Sequence, residues 1–168
     1  TVNFPTNEID KPMTNTILLR KATSSDSNAI ADIYLESRKK LLAFAPLAHT
    51  DENIREWIKE TLIPTGQVTV AERNGHILGM MAISKSDNIG WIDQLYILPT
   101  AINEGMGSLF IEFAKKTLGS PIQLYTFQQN LLAKRFYEQH DFKATLFRDG
   151  SENEEHCPDI LFKWQQGD

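Results

Sequence analysis

The chain has 168 residues, 41% hydrophobic and 23% charged, which is enough for one domain with a real core and short for two. Its formal net charge of −5 argues against the concentrated basic face that nucleic acid or an anionic membrane requires, and suits a cationic small molecule or peptide amine better. Cys157 is the single cysteine, no apolar run approaches the roughly 18 residues of a membrane span, and no secretory leader is recognisable, so the expected location is cytoplasmic.

Residues 1–15 open with TVNFPTNEIDKP, which has no periodicity ahead of Met13. They are expected to be a disordered extension or a cloning remnant, with a single domain over residues 16–165. TILLR (16–20) is β-like, and KATSSDSN supplies capping residues before the helix AIADIYLESRKKLL, whose Ile30, Ile33, Tyr34 and Leu41 fall on one face. Thr50 or Asp51 caps a second helix, ENIREWIKETLI, with Ile54, Trp57, Ile58 and Leu62 inward and Pro64 and Gly66 closing it. In QVTVAERNGHILGMMAIS, Asn74-Gly75 between two alternating runs suits a hairpin with a type I′ turn. Turn residues Asp87 and Asn88 precede the strand IGWIDQLYIL, where alternation puts Trp91, Asp93, Leu95 and Ile97 on one face. The helix GMGSLFIEFAKKTL, the strand IQLYTF, the helix LLAKRFYEQH and the strands FKATLF and DILFKW follow, the last two flanking the polar loop RDGSENEEHCP. The order β-α-α-β-β-β-α-β-α-β-β describes a mixed α/β sheet with helices packed against it.

The stretch LYILPTAINEGMGSLF (95–110) passes from strand through proline and two glycines into helix. Gly105 and Gly107 either make a tight connection or open a helix start to an anion, because four N–H groups of the first turn lack internal partners and carry about half a positive charge. A dinucleotide fingerprint would need glycine at Phe110, and a triphosphate loop would need Gly-Lys-Ser/Thr. Neither is present.

These letters resemble the acetyl-CoA signature of the GNAT superfamily of N-acetyltransferases, Gln/Arg-x-x-Gly-x-Gly/Ala after a strand ending near proline. NLLAKRFYEQHDF (130–142) is similar to the family's second signature, with Asn130, Ala133, Phe136, Tyr137, Glu138 and Phe142 in register. The resemblance spans residues 16 to 165. Three letters depart from it: Ile102 replaces Gln or Arg, Asn103 stands where a glycine often follows, and Asp141 replaces the glycine before Phe142.

The resemblance implies a mostly antiparallel mixed sheet of about seven strands, splayed between strands four and five and flanked by about four helices. It implies acetyl-CoA as acetyl donor and no metal. The pyrophosphate would lie on Ile102, Asn103, Glu104, Gly105, Met106, Gly107 and Ser108, with Ile102 included by position alone. The pantetheine arm would pair with Leu95, Tyr96 and Ile97 and touch Asn130, Ala133 and Phe136. Asn130 would also cap its helix. Direct attack by the acceptor amine gives a tetrahedral intermediate, and Tyr137 is the expected acid for the departing sulfur; the alternative is an aromatic of the core. Asp93 is the expected base, directly or through water, with a structural role equally open. Glu36, Arg38, Trp91, Tyr125 and Phe127 are the candidates for the acceptor site, although such aromatics also build plain cores.

His49 and His76 have no metal-site spacing, and Cys157 reads as a free thiol in a loop. The acidic DGSENEEH segment reads as a solvated hairpin end, with attraction of a cationic acceptor or a dimer contact as other uses. Homodimers are common among proteins similar to this one. Two functions remain: N-acetyl transfer to a small-molecule or peptide amine, or a non-catalytic acyl-CoA- or partner-binding module on the same fold. Transfer to a hydroxyl is a lesser third.

Overall fold

A computed structural model describes residues 16–167; the expectation for residues 1–15 lies outside them. β1 (Leu18–Lys21), β2 (Val68–Arg73), β3 (His76–Ser86) and β4 (Ile89–Ile97) neighbour one another in chain order, and β5 (Ile122–Phe127), β6 (Lys143–Arg148) and β7 (Asp159–Trp164) complete a seven-stranded sheet ordered β1-β2-β3-β4-β5-β7-β6. The β2–β3 turn has φ of 51° at Asn74 and 78° at Gly75, and the β3–β4 turn has 52° at Asp87 and 63° at Asn88. Left-handed residues at both central positions match the twist of the flanking strands.

Alternation along β2 and β3 divides the core in two. Val70, Met80 and Ala82 pack beneath α1 (Ser27–Leu41) and α2 (Asp51–Trp57). Ala71, Met81 and Ile83 pack on the other face, beneath α3 (Met106–Leu118) and α4 (Leu131–Gln139). Leu41, expected inside, is 42% exposed: α1 ends there, and the non-helical backbone of Leu42, φ −124° and ψ 40°, turns that next residue inward. Thr50 caps α2 by accepting from Asn53 N at 3.2 Å. The expected second helix then widens into a π-turn over Ile58–Leu62 and tightens over Ile63–Thr65 before Gly66.

The only parallel contact among the described strands is β4–β5, and it holds two pairs, Gly90 with Ile122 and Trp91 with Gln123. Past them β5 stays with β7 along its whole length, and β4 keeps β3 alone. The expected splay is therefore present. Opposite it, Ala82 faces Gln94 while Ile83 faces Ile92, so Asp93 is an extra, bulged residue. A bulge inverts the alternation. Trp91 consequently does not share the face of Leu95 and Ile97, which join Ile92 in the α3 core; Trp91 instead stacks on Tyr125.

The start of α1 is fixed by a carboxylate. Asp26 accepts the Arg20 fork at 2.8 and 2.9 Å and the Thr23 N–H at 2.8 Å. The Arg20 hydrogen bond, against the cost of burial, lowers its pKa from 3.8 to about 2. Asp26→Asn is expected to cost about 1–2 kcal/mol near neutral pH, trimmed by solvent access to Arg20. Because the folded value is depressed, this contribution is complete above pH 3.8 and fades as the pH falls through about 2. Urea unfolding of both proteins across that window checks it.

Candidate active site

β4 delivers the chain through a turn at Pro99–Ala101 to Ile102, and Gly105 caps α3. Gly105 has φ 85°, and a Cβ there would meet nothing within 4 Å. No acidic side chain stands in the first turn of α3, where the N–H groups of Met106, Gly107 and Ser108 have no acceptor further back in the helix. Gly107 has a packing role as well. A Cβ on it would lie 2.9 Å from Phe136 Cζ and 3.4 Å from Ile97 Cδ1, so its missing side chain lets α3 close on α4. Two letters that depart from the glycine pattern keep the glycine backbone: Asn103 has φ 65° and Asp141 φ 68°, conformations that Asn and Asp tolerate better than other side chains.

Around this helix start the charges are balanced. The Glu104 carboxylate lies 3.3 Å from Arg73 at the end of β2, a cation that no sequence signal had singled out. Ser108 Oγ is 3.0 Å from His140 Nε2, and burial, then Lys115, holds the His140 pKa below the ordinary histidine value. An open N-terminus without a free acid fits a phosphate-bearing ligand.

Between the diverging strands lies a cavity of about 280 Å³. It brings Asp93, Leu95 and Tyr96 of β4 together with Tyr125 and Phe127 of β5 and with Asn130, Ala133 and Tyr137 of α4. Asn130 Oδ1 accepts from Ala133 N at 3.2 Å, so it caps α4 while lining the cavity. Tyr137 is 8% exposed, and burial, then Tyr96, pushes its pKa well above the ordinary tyrosine value. Asp93 protrudes at the bulge with its side chain exposed; partial desolvation by the cavity walls nevertheless raises its pKa, with Ser84 opposing.

Several expected residues lie elsewhere. Glu36 is paired with Lys40 at 2.6 Å on α1 and takes no part in the cavity wall. Trp91 supports the wall from behind, stacked on Tyr125 at 5.8 Å. Arg38 is buried behind it. Phe136 lies under Gly107, and the Ile97 carbonyl accepts from Ser37 Oγ at 3.2 Å, which leaves the free edge of β4 to the residues before it.

The loop between β6 and β7 is solvated at Ser151, Glu152 and Glu154, but Asn153, Glu155 and Cys157 are drawn into the protein. Arg148 grips Asp159 with two bonds of 2.7 and 2.6 Å. Asn153 Nδ2 donates to Cys157 O at 2.7 Å and its Oδ1 accepts from Cys157 N at 3.1 Å. Glu154 meets His49 at 3.0 Å, and Glu155 meets Arg38 at 3.1 Å. Arg148, Asn153, Glu155 and Asp159 therefore form a cavity wall that sequence reasoning missed. One signal existed: Arg148 and Asp159 face each other in the hairpin register. Cys157 is buried, and burial, then Glu155, raises its pKa, the opposite of what an acyl-accepting thiolate needs. Among the described residues no group of three or more His, Cys, Asp or Glu gathers as a metal site, and no helix is long and apolar enough to cross a membrane.

Residues 28–142 match the acetyltransferase (GNAT) family. The chain belongs to that family. An uncharacterized N-acetyltransferase of Archaeoglobus fulgidus is 26% identical over 137 residues, 74% of this chain and 92% of that protein. The PaiA N-acetyltransferase of Thermoplasma acidophilum, solved in complex with coenzyme A, is similar in fold with a TM-score of 0.70 at 20% identity, over 89% of this chain and 99% of that one. Apo YjaB of Escherichia coli gives 0.71 at 19% identity, over 89% and 97%. The GNAT match holds both the Gly105 turn and the Asn130–Phe142 segment and stops before β6. The loop wall thus comes from the part of the chain beyond the family match.

Proposed function

We propose that this GNAT protein is an acetyl-CoA-dependent N-acetyltransferase, a single domain over residues 16–165, that acetylates a primary amine of a small molecule or of a peptide or protein. The observation carrying this reading is that the unzipped β4–β5 seam opens beside an anion-ready helix start and holds Asp93 and Tyr137 in one cavity. The N–H groups from Asn103 to Ser108 would hold the pyrophosphate, the free edge of β4 at Leu95 and Tyr96 the arm, and Asn130 and Ala133 the facing side, with Phe136 backing the helix start. Acetyl-CoA supplies an activated acetyl thioester. Asp93 takes the proton of the acceptor nitrogen, directly or through water, as the C–N bond forms. Tyr137 hydrogen-bonds the departing sulfur and yields its proton as the C–S bond breaks.

The environments of the two groups set the pH dependence. A carboxyl with a raised pKa works as a base only above that value, so kcat/KM is expected to rise with pH through a limb lying above the ordinary aspartate value of about 4. A phenol with a raised pKa stays protonated, so no falling limb from Tyr137 is expected below about pH 10. Asp93→Asn should lower kcat/KM about 100-fold at neutral pH and recover as alkaline pH deprotonates the amine without help. A pH series of thiol release on both proteins tests this; equal profiles would assign Asp93 a structural role.

The direct test of the donor site is thermal unfolding with acetyl-CoA, CoA, ATP or NAD. Ligand at about 100 times its Kd stabilises by about 2.7 kcal/mol, an upward shift of about 5–11 °C for a domain of this size. A shift with acetyl-CoA and CoA alone is expected. No shift with either would overturn the assignment.

A further inference from the structure

The charged groups of the cavity wall differ once their partners are counted. Asp159 is 3% exposed, and its oxygens take both arms of Arg148 and an Asn153 N–H at 3.2 Å. Arg148 spends its remaining nitrogen on Glu152 at 2.6 Å and lies 4.1 Å over the Tyr125 ring. The two charges of this pair are matched to each other and, for Arg148, to Glu152 as well, so neither is left without a counter-charge.

Glu155 is different. Its Oε1 accepts from Arg38 Nη2 at 3.1 Å, while Oε2 accepts from none of the described residues. Arg38 is 5% exposed, donates also to Ala45 O at 3.0 Å and lies 5.6 Å from the centroid of Phe127. Its Nε is buried without a partner. Buried and anchored through Nη2 on the Ala45 carbonyl, this guanidinium holds Glu155 in the wall by one oxygen and leaves the other unspent. The cavity wall therefore carries three carboxylates, Asp93, Glu155 and Asp159, against one arginine, Arg148, and Asp93 and Glu155 are the two with acceptor capacity left over. Tyr125 and Phe127, which also line the cavity, add aromatic surface suited to the methylenes of an acceptor.

We infer that Glu155 selects an acceptor carrying a second positive charge, a diamine or an amine with a distal ammonium or guanidinium group, and that Arg38 is its positioning residue. The inference rests on the N-acetyltransferase reading and goes beyond it by naming the acceptor class. One amine of the acceptor reacts beside Asp93 while the other cation fills the free oxygen of Glu155. An acceptor ending in a carboxylate would meet a wall of net like charge there.

The test uses acceptors of matched skeleton that differ in the distal group: α,ω-diamines of three to six carbons, the corresponding monoamines and the corresponding ω-amino acids, assayed by thiol release from acetyl-CoA. In the wild-type protein kcat/KM should fall from diamine to monoamine by about 10- to 100-fold, the range of a hydrogen bond between charged groups, and fall again for the amino acid. Glu155→Gln should collapse the first gap, and Arg38→Lys should raise the diamine KM more than the monoamine KM. A retained shift of the unfolding midpoint with acetyl-CoA shows that each variant is folded with its donor site intact. Equal use of diamine and monoamine by the wild type, or discrimination that survives Glu155→Gln, overturns the inference while leaving acetyl transfer standing. An acetyl-CoA shift with no thiol release to any amine overturns the N-acetyltransferase reading itself, and the acceptor class with it.

Discussion

Tyr137→Phe is expected to lower kcat about 100-fold, with acetyl-CoA affinity and thermal stability close to those of the unaltered protein. The ring is needed where it is, 5.2 Å from Phe136, 5.7 Å from Phe142 and 6.1 Å from Phe162, and phenylalanine preserves all three contacts. What is lost is one hydroxyl at the cavity wall. General acid help spans about 10²–10⁴ in rate, and the lower end applies because burial makes this phenol a weaker acid than a free tyrosine. Proton transfer to a thiolate whose conjugate acid has a pKa near 8.5 is uphill for such a group, so a hydrogen bond to the emerging charge carries much of the effect. Thiol release under saturating acetyl-CoA checks it. An unchanged kcat would make Tyr137 a core aromatic and nothing more.

Ser108→Asp separates an anion site from an ordinary helix start, because the two predict opposite signs. Ser108 is the third residue of α3 after the Gly105 cap. A carboxylate there meets the positive end of the helix and should stabilise the fold by about 0.3–1 kcal/mol. If the same N–H groups hold the pyrophosphate, the new charge competes for them and repels the ligand, an opposition of the kind that costs several kcal/mol. Acetyl-CoA affinity is then expected to fall about 100-fold while the ligand-free unfolding midpoint stays level or rises. Isothermal titration with CoA and a melting curve of the same sample suffice. Unaltered affinity would return the Gly105 turn to a purely architectural role.

The pattern of apolar residues made the strand and helix order readable, and in places to the residue: IQLYTF and DILFKW coincide with β5 and β7. Hairpins were legible because Asn-Gly and Asp-Asn put left-handed backbone where the twist needs it. The bulge at Asp93 was not legible, since one extra residue leaves no trace in composition and only shows when β3 supplies the register. It moved Trp91 off the face that alternation gave it. Leu41 failed for a related reason, a helix end that shifts the phase by one residue. Of the residues lining the cavity, Asp93, Leu95 and Tyr96 on β4 and Asn130, Ala133 and Tyr137 on α4 were singled out from stretches close in sequence, and the wall from the β6–β7 loop was not. Its ties, such as Arg38 to Glu155, join residues more than a hundred positions apart, and a loop of charged letters reads as solvated until its partners are known. Gly107 was legible as important, but its contact with Phe136 was not, because a missing side chain looks the same in the sequence whether a ligand or a neighbouring ring lies against it.

Only two residue pairs join β4 to β5. A seven-stranded sheet normally resists bending as one plate, its ladder spreading any load across every strand. Here the strand ladders form two plates, β1 to β4 and β5 to β7, fastened at one corner. Widening the mouth of the seam breaks no further ladder bond, and the resistance comes from side chains: the apolar packing of α3 and α4 below, the Trp91–Tyr125 stack and the Arg38–Glu155 tie. The compliance of the molecule is thereby placed along the line that the proposed activity gives to an entering substrate and a leaving product.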